Sequence, residues 1–289
     1  MAADPSGAPE GKAPPLQDFF AGRFDAWLAR TSRPTPLWLF VHVPKTAGSS
    51  LAAEVAGVIQ PYRSLHIDHL DRSRPAMMRY DTTVEEALAA HAAAPFRFAS
   101  GHVQHRHVAR LAAGIPGTRL FTMLREPSAR LISDYLYQRS PMHPLAEEVM
   151  RKVPDFDAFL DLKGQRNRTA RHLVPKPIIE AGDAAAAIAH VERRFAFVGV
   201  QERYALGFRA LATMLGIERA PSERKRVNSA AGAEREEIAA RLADPALQAR
   251  IAETNAIDLA IWRHVAARWD AIAPALEAWL EARPAARAA

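Results

Sequence analysis

Residues 39–55, LFVHVPKTAGSSLAAEV, run from an apolar stretch into a cluster of Pro, Lys, Thr, Gly and Ser, then into a helical-looking segment. A cluster of this kind between a strand and a helix suits an anion. Gly48 lets the backbone approach a ligand closely. The unpaired amides at the start of the following helix point toward such a ligand, and the helix dipole favours negative charge there. Thr46, Ser49 and Ser50 add hydroxyl donors, and Lys45 adds a mobile positive charge. The loop Lys45, Thr46, Ala47, Gly48, Ser49 and Ser50 is therefore a candidate oxyanion cradle. It is not a Walker A loop, because G-x-x-x-x-G-K-[ST] is absent and the lysine precedes the glycine. Taken singly, Ser49 or Ser50 also fits a plain helix N-cap, and Lys45 fits a surface loop.

A second candidate anchor is LREPSARLISDYLY, residues 124–137. Arg125 comes off an apolar run, and Pro127 occupies a helix-start position. Arg130, Ser133 and Tyr137 follow at spacings of three and four, along one helix face. An arginine at a strand end with a serine on the next helix suits a second phosphate, for which Arg125 and Ser133 are the candidates. The competing reading pairs Arg130 with Asp134 at i,i+4 and leaves Ser133 a tolerated helix residue.

The elements that must position these groups are legible as an alternation. Four β-rich apolar runs stand out at 37–43, 96–103, 118–126 and 195–203, and helical segments separate them. Near-continuous apolar runs suit strands covered on both faces. Strands alternating with helices predict an α/β fold with a parallel sheet flanked by helices. Residues 1–15 read as a disordered tail, and 16–289 as a single α/β domain. Within it an N-terminal helix is expected over 16–30 and a helical C-terminal part over 233–289, closing on a short separate helix at APALEAWLEA.

The 289 residues are 49% hydrophobic and 24% charged, ordinary for a globular protein, and include no cysteine. Disulfides, thiolate metal sites and Cys nucleophiles are excluded. No run of about 18 apolar residues predicts a membrane span. The first residues lack the apolar segment of a signal peptide, so a cytoplasmic location is expected. The net charge of +6 is compatible with nucleic acid, an anionic lipid surface or an anionic small ligand.

The pair VPKTAGSS and LREPSARLISDYLY, in this order, resembles the carbohydrate sulfotransferases related to heparan sulfate 2-O-sulfotransferase, together with their bacterial relatives. The resemblance covers residues 37–230 and implies a P-loop-like fold, with 3'-phosphoadenosine 5'-phosphosulfate (PAPS) as sulfuryl donor and adenosine 3',5'-bisphosphate (PAP) as product. It implies that Lys45, Thr46, Gly48, Ser49 and Ser50 hold the 5'-phosphosulfate, and that Arg125 and Ser133 hold the 3'-phosphate. It places the catalytic base at His102, in SGH at 100–102, with Ser100 where the eukaryotic enzymes carry a first histidine. RNRTARHL (166–173) resembles the segment after the second motif. RKRVNSA (224–230) resembles the late loop that closes over the nucleotide, with Arg226, Asn228 and Ser229 as candidate contacts; it also reads as a solvated charge run.

Sulfuryl transfer of this type needs no metal, because no triphosphate has to be neutralised. The acceptor expected is a hydroxyl of a saccharide or glycan-like molecule, possible contacts being Arg139, Arg166, Arg168 and Arg171. Other residues carry bland readings: His42 as strand packing, and Glu202 as the partner of a loop amide or an arginine. His102 with HRH at 105–107 invites a zinc reading, set against it the lack of a further His or carboxylate partner. Two rival functions remain at this stage. A P-loop-type nucleotide kinase would share the fold but lacks the Walker A order. A basic nucleic-acid-binding protein would explain the charge but not the two anion motifs.

Overall fold

The computed structural model describes residues 14–68, 70–217 and 232–283. Residues 1–13 of the expected tail, and Arg226, Asn228 and Ser229, lie outside the described residues. Five parallel strands form one sheet: β1 (Trp38–Val41), β2 (Tyr62–Ser64), β3 (Phe98–Gly101), β4 (Arg119–Leu124) and β5 (Phe195–Val200), in the order β2-β3-β1-β4-β5. Every residue of β1, β3 and β5 is buried, as expected for strands covered on both faces. Helices connect the strands, so the α/β class follows from the alternation in the sequence.

The order of the strands places the two motifs side by side. From β1 the chain crosses to β2 on one side of the sheet, whereas from β4 it passes to β5 on the other. The carboxyl ends of β1 and β4 therefore flank a topological switch point, where open α/β sheets form a crevice for ligands. The loop holding Lys45 follows β1, and the loop holding Arg125 follows β4.

Three features depart from the expected elements. β2 is an added edge strand, only three residues of mixed polarity, partly exposed. The segment 16–30 is two helices, Pro15–Phe20 and Phe24–Thr31, because Gly22 between them takes a φ of 72°, a left-handed turn that glycine adopts without strain. At the other end APALEAWLEA is not separate: one helix, Ala256–Glu281, runs through Pro274. The proline deprives the Asp270 carbonyl of its i+4 donor, and the helix continues on its packing against the core.

These terminal helices close the β5 edge. The indoles of Trp27 and Trp269 donate to the carbonyls of Ala196 and Val198 at 2.9 Å each, which caps groups an edge strand would otherwise present. Phe19 packs between them, 4.7 Å from the Trp27 ring and 5.3 Å from Trp269. A smaller core of Leu131, Tyr135, Phe156, Phe159, Ile238 and Ile251 lies beneath the helix Pro127–Arg139 and fixes its outer face.

Candidate functional site

The loop after β1 is held in an unusual backbone shape. Lys45 and Ala47 have φ of 69° and 63°, left-handed values that L residues adopt at a cost. The helix Gly48–Ala56 starts from Ala47 with no side-chain cap, so neither serine serves as the N-cap. Ser49 is exposed and Ser50 half-buried, and both lie in the first turn, whose amides lack intrahelical acceptors. Gly48 is required by close approach: a Cβ there would stand 2.1 Å from Cδ2 and 2.3 Å from Nε2 of the buried His42 ring. The Thr46 hydroxyl donates to the Val43 carbonyl at 2.8 Å and is fully buried. It shapes the loop from inside, and the groups that face outward are Lys45, the serines and the first-turn amides.

The loop after β4 meets this one. Arg125 Nη1 donates to the Lys45 carbonyl at 3.3 Å, and the Lys45 ammonium lies 3.8 Å from the centre of the Tyr137 ring. Ser133, half-buried, stands one turn before Tyr137 on the same helix. Glu126 caps that helix by accepting from the amides of Ser128 and Ala129 at 2.9 and 2.6 Å. Glu202 accepts from the Glu126 amide at 2.7 Å, the loop-amide role expected of it. Arg130 is entirely buried and faces Asp134 at 3.8 Å. The i,i+4 pair is thus present, although the nearer partner of Asp134 is Arg168 at 2.5 Å.

Three histidines gather at the carboxyl ends of β1, β2 and β3. Val41 is in register with Gly101, and Ser64 with Ser100, so one step past the first pair and two past the second bring His42, His66 and His102 into a single row. The backbone bonds His42 N to Gly101 O and Leu65 N to Ser100 O, at 3.2 and 2.8 Å, continue the ladders toward that row. The His102 ring lies 4.2 Å from His42 and 4.7 Å from His66 between centroids. His102 Nδ1 and the His42 carbonyl are 2.7 Å apart, so Nδ1–H donates to it and Nε2 keeps its lone pair.

Burial pushes the His42 imidazole down to about 3, with repulsion from His66, His172 and Lys45 adding to it. Burial, and then repulsion from His42, also holds His102 well below the usual histidine value. Both rings are therefore neutral at pH 7. His42 stacks on Phe40 at 5.2 Å and 14°, the packing role expected of it. Ser100 is buried and shares a 2.9 Å hydrogen bond with the Tyr62 hydroxyl. A cavity of about 260 Å³, lined by His42, Ser49, Ala52, Ala53, Ala56, Tyr62 and His66, adjoins the row. A second, of about 370 Å³ and lined by Asp68, Arg74, Arg79 and Glu86 among others, begins at His66.

The zinc grouping of His102 with 105 and 107 does not form among the described residues. The His105 ring packs against His190 at 5.0 Å, whereas His107 closes a capping box with Gln104 and lies 3.2 Å from Asp81. The arginines expected to face an acceptor are mostly engaged internally. Arg139 donates to the carbonyls of Val153 and Pro154, Arg168 pairs with Asp134, and Arg171 donates to the Lys163 carbonyl; Arg166 is exposed. RNRTARHL is a structural junction: Asn167 accepts from the amides of Ile257 and Asp258, and Asp258 accepts from those of Thr169 and Ala170. His66 and Tyr137 are the contributors that sequence reasoning left without a role.

No protein-family model matches the chain, and no curated protein matches it significantly.

Proposed function

We propose that this protein is a sulfotransferase that moves the sulfuryl group of PAPS onto a hydroxyl of a saccharide or glycan-like acceptor. The observation that carries the reading is the pairing of two anion-suited loops at the switch point, joined by Arg125 and Lys45, with His102 at the end of β3, the other neighbour of β1. One loop suits the 5'-phosphosulfate and the other the 3'-phosphate, the two anionic ends of one nucleotide.

Sulfuryl transfer resembles phosphoryl transfer, in which positioning and charge stabilisation do most of the catalysis. The acceptor oxygen forms the new S–O bond while the bond from sulfur to the bridging phosphate oxygen breaks, and that electron pair stays on the departing phosphate. Lys45 and the first-turn amides at Gly48, Ser49 and Ser50 stabilise the growing charge. His102 takes the hydroxyl proton on Nε2; its Nδ1–H is fixed on the His42 carbonyl, which sets the tautomer and orients the ring. The mixed polar and charged lining of the cavity beside His66 suits a polar, hydroxyl-rich acceptor. No step assigned here uses a metal.

Thermal unfolding with PAP, ADP, ATP and a nucleic acid in parallel tests the reading. A ligand at a hundred times its dissociation constant stabilises by about 2.7 kcal/mol. PAP should raise Tm well above the others; an equal response to ADP and ATP, or a response to nucleic acid alone, would count against it.

A further inference from the structure

The row of histidines has a property that proton transfer does not use. One nitrogen from each of His42, His66 and His102 lies within 4.8 Å of the other two. We propose that these three side chains form a binding site for a divalent transition-metal ion of the zinc type, bound through neutral imidazoles with a fourth position open to water.

Four observations carry it. The first is the shared row, which comes from the sheet itself: neighbouring strands lie about 4.8 Å apart, and the registers set the three residues side by side. Such a spacing is built into the backbone and does not depend on a chance meeting of surface side chains. Second, the far nitrogens of two rings are already anchored. His102 Nδ1 donates to the His42 carbonyl at 2.7 Å, and His66 Nδ1 lies 3.2 Å from the Ser64 hydroxyl oxygen. Ligating histidines characteristically hold their second nitrogen in this way, which orients the ring and leaves Nε2 for the metal.

Third, His42 is 3% exposed and its Nδ1 has no hydrogen-bond partner among the described residues. A buried polar atom without a partner is costly, and a bound ion is one of the groups that accounts for it. Fourth, three imidazoles with one open position are a recognised donor set for zinc. Imidazole also suits copper and nickel, whereas magnesium and calcium require oxygen ligands. Zn–N bonds of about 2.0–2.1 Å in a tetrahedron put the nitrogens about 3.3 Å apart, so the cluster must contract slightly. His66 is exposed on the loop after β2, and its side chain supplies that movement.

Metal binding and proton acceptance compete for the Nε2 lone pair of His102. The ion is therefore an inhibitor of the proposed transfer, a corollary that rests on the proposed function; the binding site does not.

The test is calorimetric titration of the full chain with zinc chloride, with magnesium chloride alongside, at neutral pH and without nucleotide. One zinc per chain and no response to magnesium are expected. The exposed His66 can be removed without opening the core, so His66→Ala should fold. It should weaken zinc by at least the 10- to 100-fold that loss of an outer-shell partner costs. His102→Ala should do the same, and His105→Ala, outside the row, should leave zinc binding unchanged. Cobalt(II) gives an independent reading: an absorption band typical of four-coordinate metal in wild type, lost in His66→Ala. Equal zinc affinity in wild type and His66→Ala, or no one-to-one binding by wild type, would overturn the site. Failure of PAP to bind would instead strike at the proposed function and leave this result standing.

Discussion

The ammonium of Lys45 rests 3.8 Å from the centre of the Tyr137 ring, and this contact ties the loop after β1 to the helix after β4. The backbone repeats the link, since Arg125 donates to the Lys45 carbonyl. Lys45 is thus directed by the second motif before any ligand arrives. Lys45→Ala should retain the fold and lower sulfuryl transfer by about 10²-fold or more, the scale of losing one transition-state donor. Its effect should fall on turnover more than on PAP affinity. Tyr137→Leu removes a cation–π contact worth about 0.5–1 kcal/mol, so turnover should fall about two- to fivefold, while Tyr137→Phe retains the wild-type rate. Initial-rate kinetics of the three variants check this.

His102→Ala should lower turnover by about 10²–10⁴-fold, the usual share of a general base. PAP affinity should change little, because the ring serves the acceptor. Full turnover in a folded His102→Ala protein would remove it from the mechanism.

Gly48→Ala should destabilise the protein by about 1–3 kcal/mol, the usual cost of overpacking, because the new methyl would meet the buried His42 ring. His42→Ala opens space at that point. The double variant should therefore be more stable than the sum of the two single effects, with a coupling of about 0.5–3 kcal/mol for residues in contact. Urea unfolding of all four proteins reads the cycle; strict additivity would show that the two residues do not meet.

Stability should fall as pH drops below neutrality. His172 is buried with Nδ1–H on the Val103 carbonyl at 2.8 Å, and burial pushes its pKa down to about 4. Between that value and the ordinary 6.5 the unfolded chain binds a proton that the folded chain does not. The contribution is complete above 6.5 and is lost as pH falls toward 4, at about 1.4 kcal/mol per pH unit while only the unfolded state is protonated. His172→Gln retains a donor for Val103 and cannot titrate. Urea unfolding at pH 7, 6 and 5 should therefore show a shallower decline for this variant; an unchanged slope would contradict the assignment.

The α/β class was legible because four strands are apolar enough to announce themselves, and both anion-suited loops were legible because composition and position coincide in them. β2 was hidden by its size and chemistry: Tyr62-Arg63-Ser64 is a partly exposed edge with no apolar run. The histidine row was hidden for a different reason. His42, His66 and His102 meet only because β2, β3 and β1 are neighbours, and strand order is a long-range property that local patterns do not carry. Without it, His102 pointed along the chain to 105 and 107 on the following helix, whose partners prove to be His190, Gln104 and Asp81. The internal bonds of Arg139, Arg168 and Arg171 were hidden similarly, because Asp134 and the carbonyls that engage them lie on other elements.

The central claim is that two loops grip one nucleotide by its two anionic ends, and the 3'-phosphate separates that nucleotide from its common relatives. Calorimetry of PAP and of adenosine 5'-phosphosulfate, which lacks the 3'-phosphate, tests it on wild type, Arg125→Ala and Ser133→Ala. Ser133 is included because Arg125 also holds the Lys45 carbonyl. A hydrogen bond to a charged group contributes about 1.5–3 kcal/mol. Loss of the arginine should therefore weaken PAP by roughly 10- to 150-fold, with Ser133→Ala weakening it in the same direction. Adenosine 5'-phosphosulfate should bind wild type and Ser133→Ala alike. If wild type shows no preference for the 3'-phosphorylated ligand, the sulfotransferase reading is wrong.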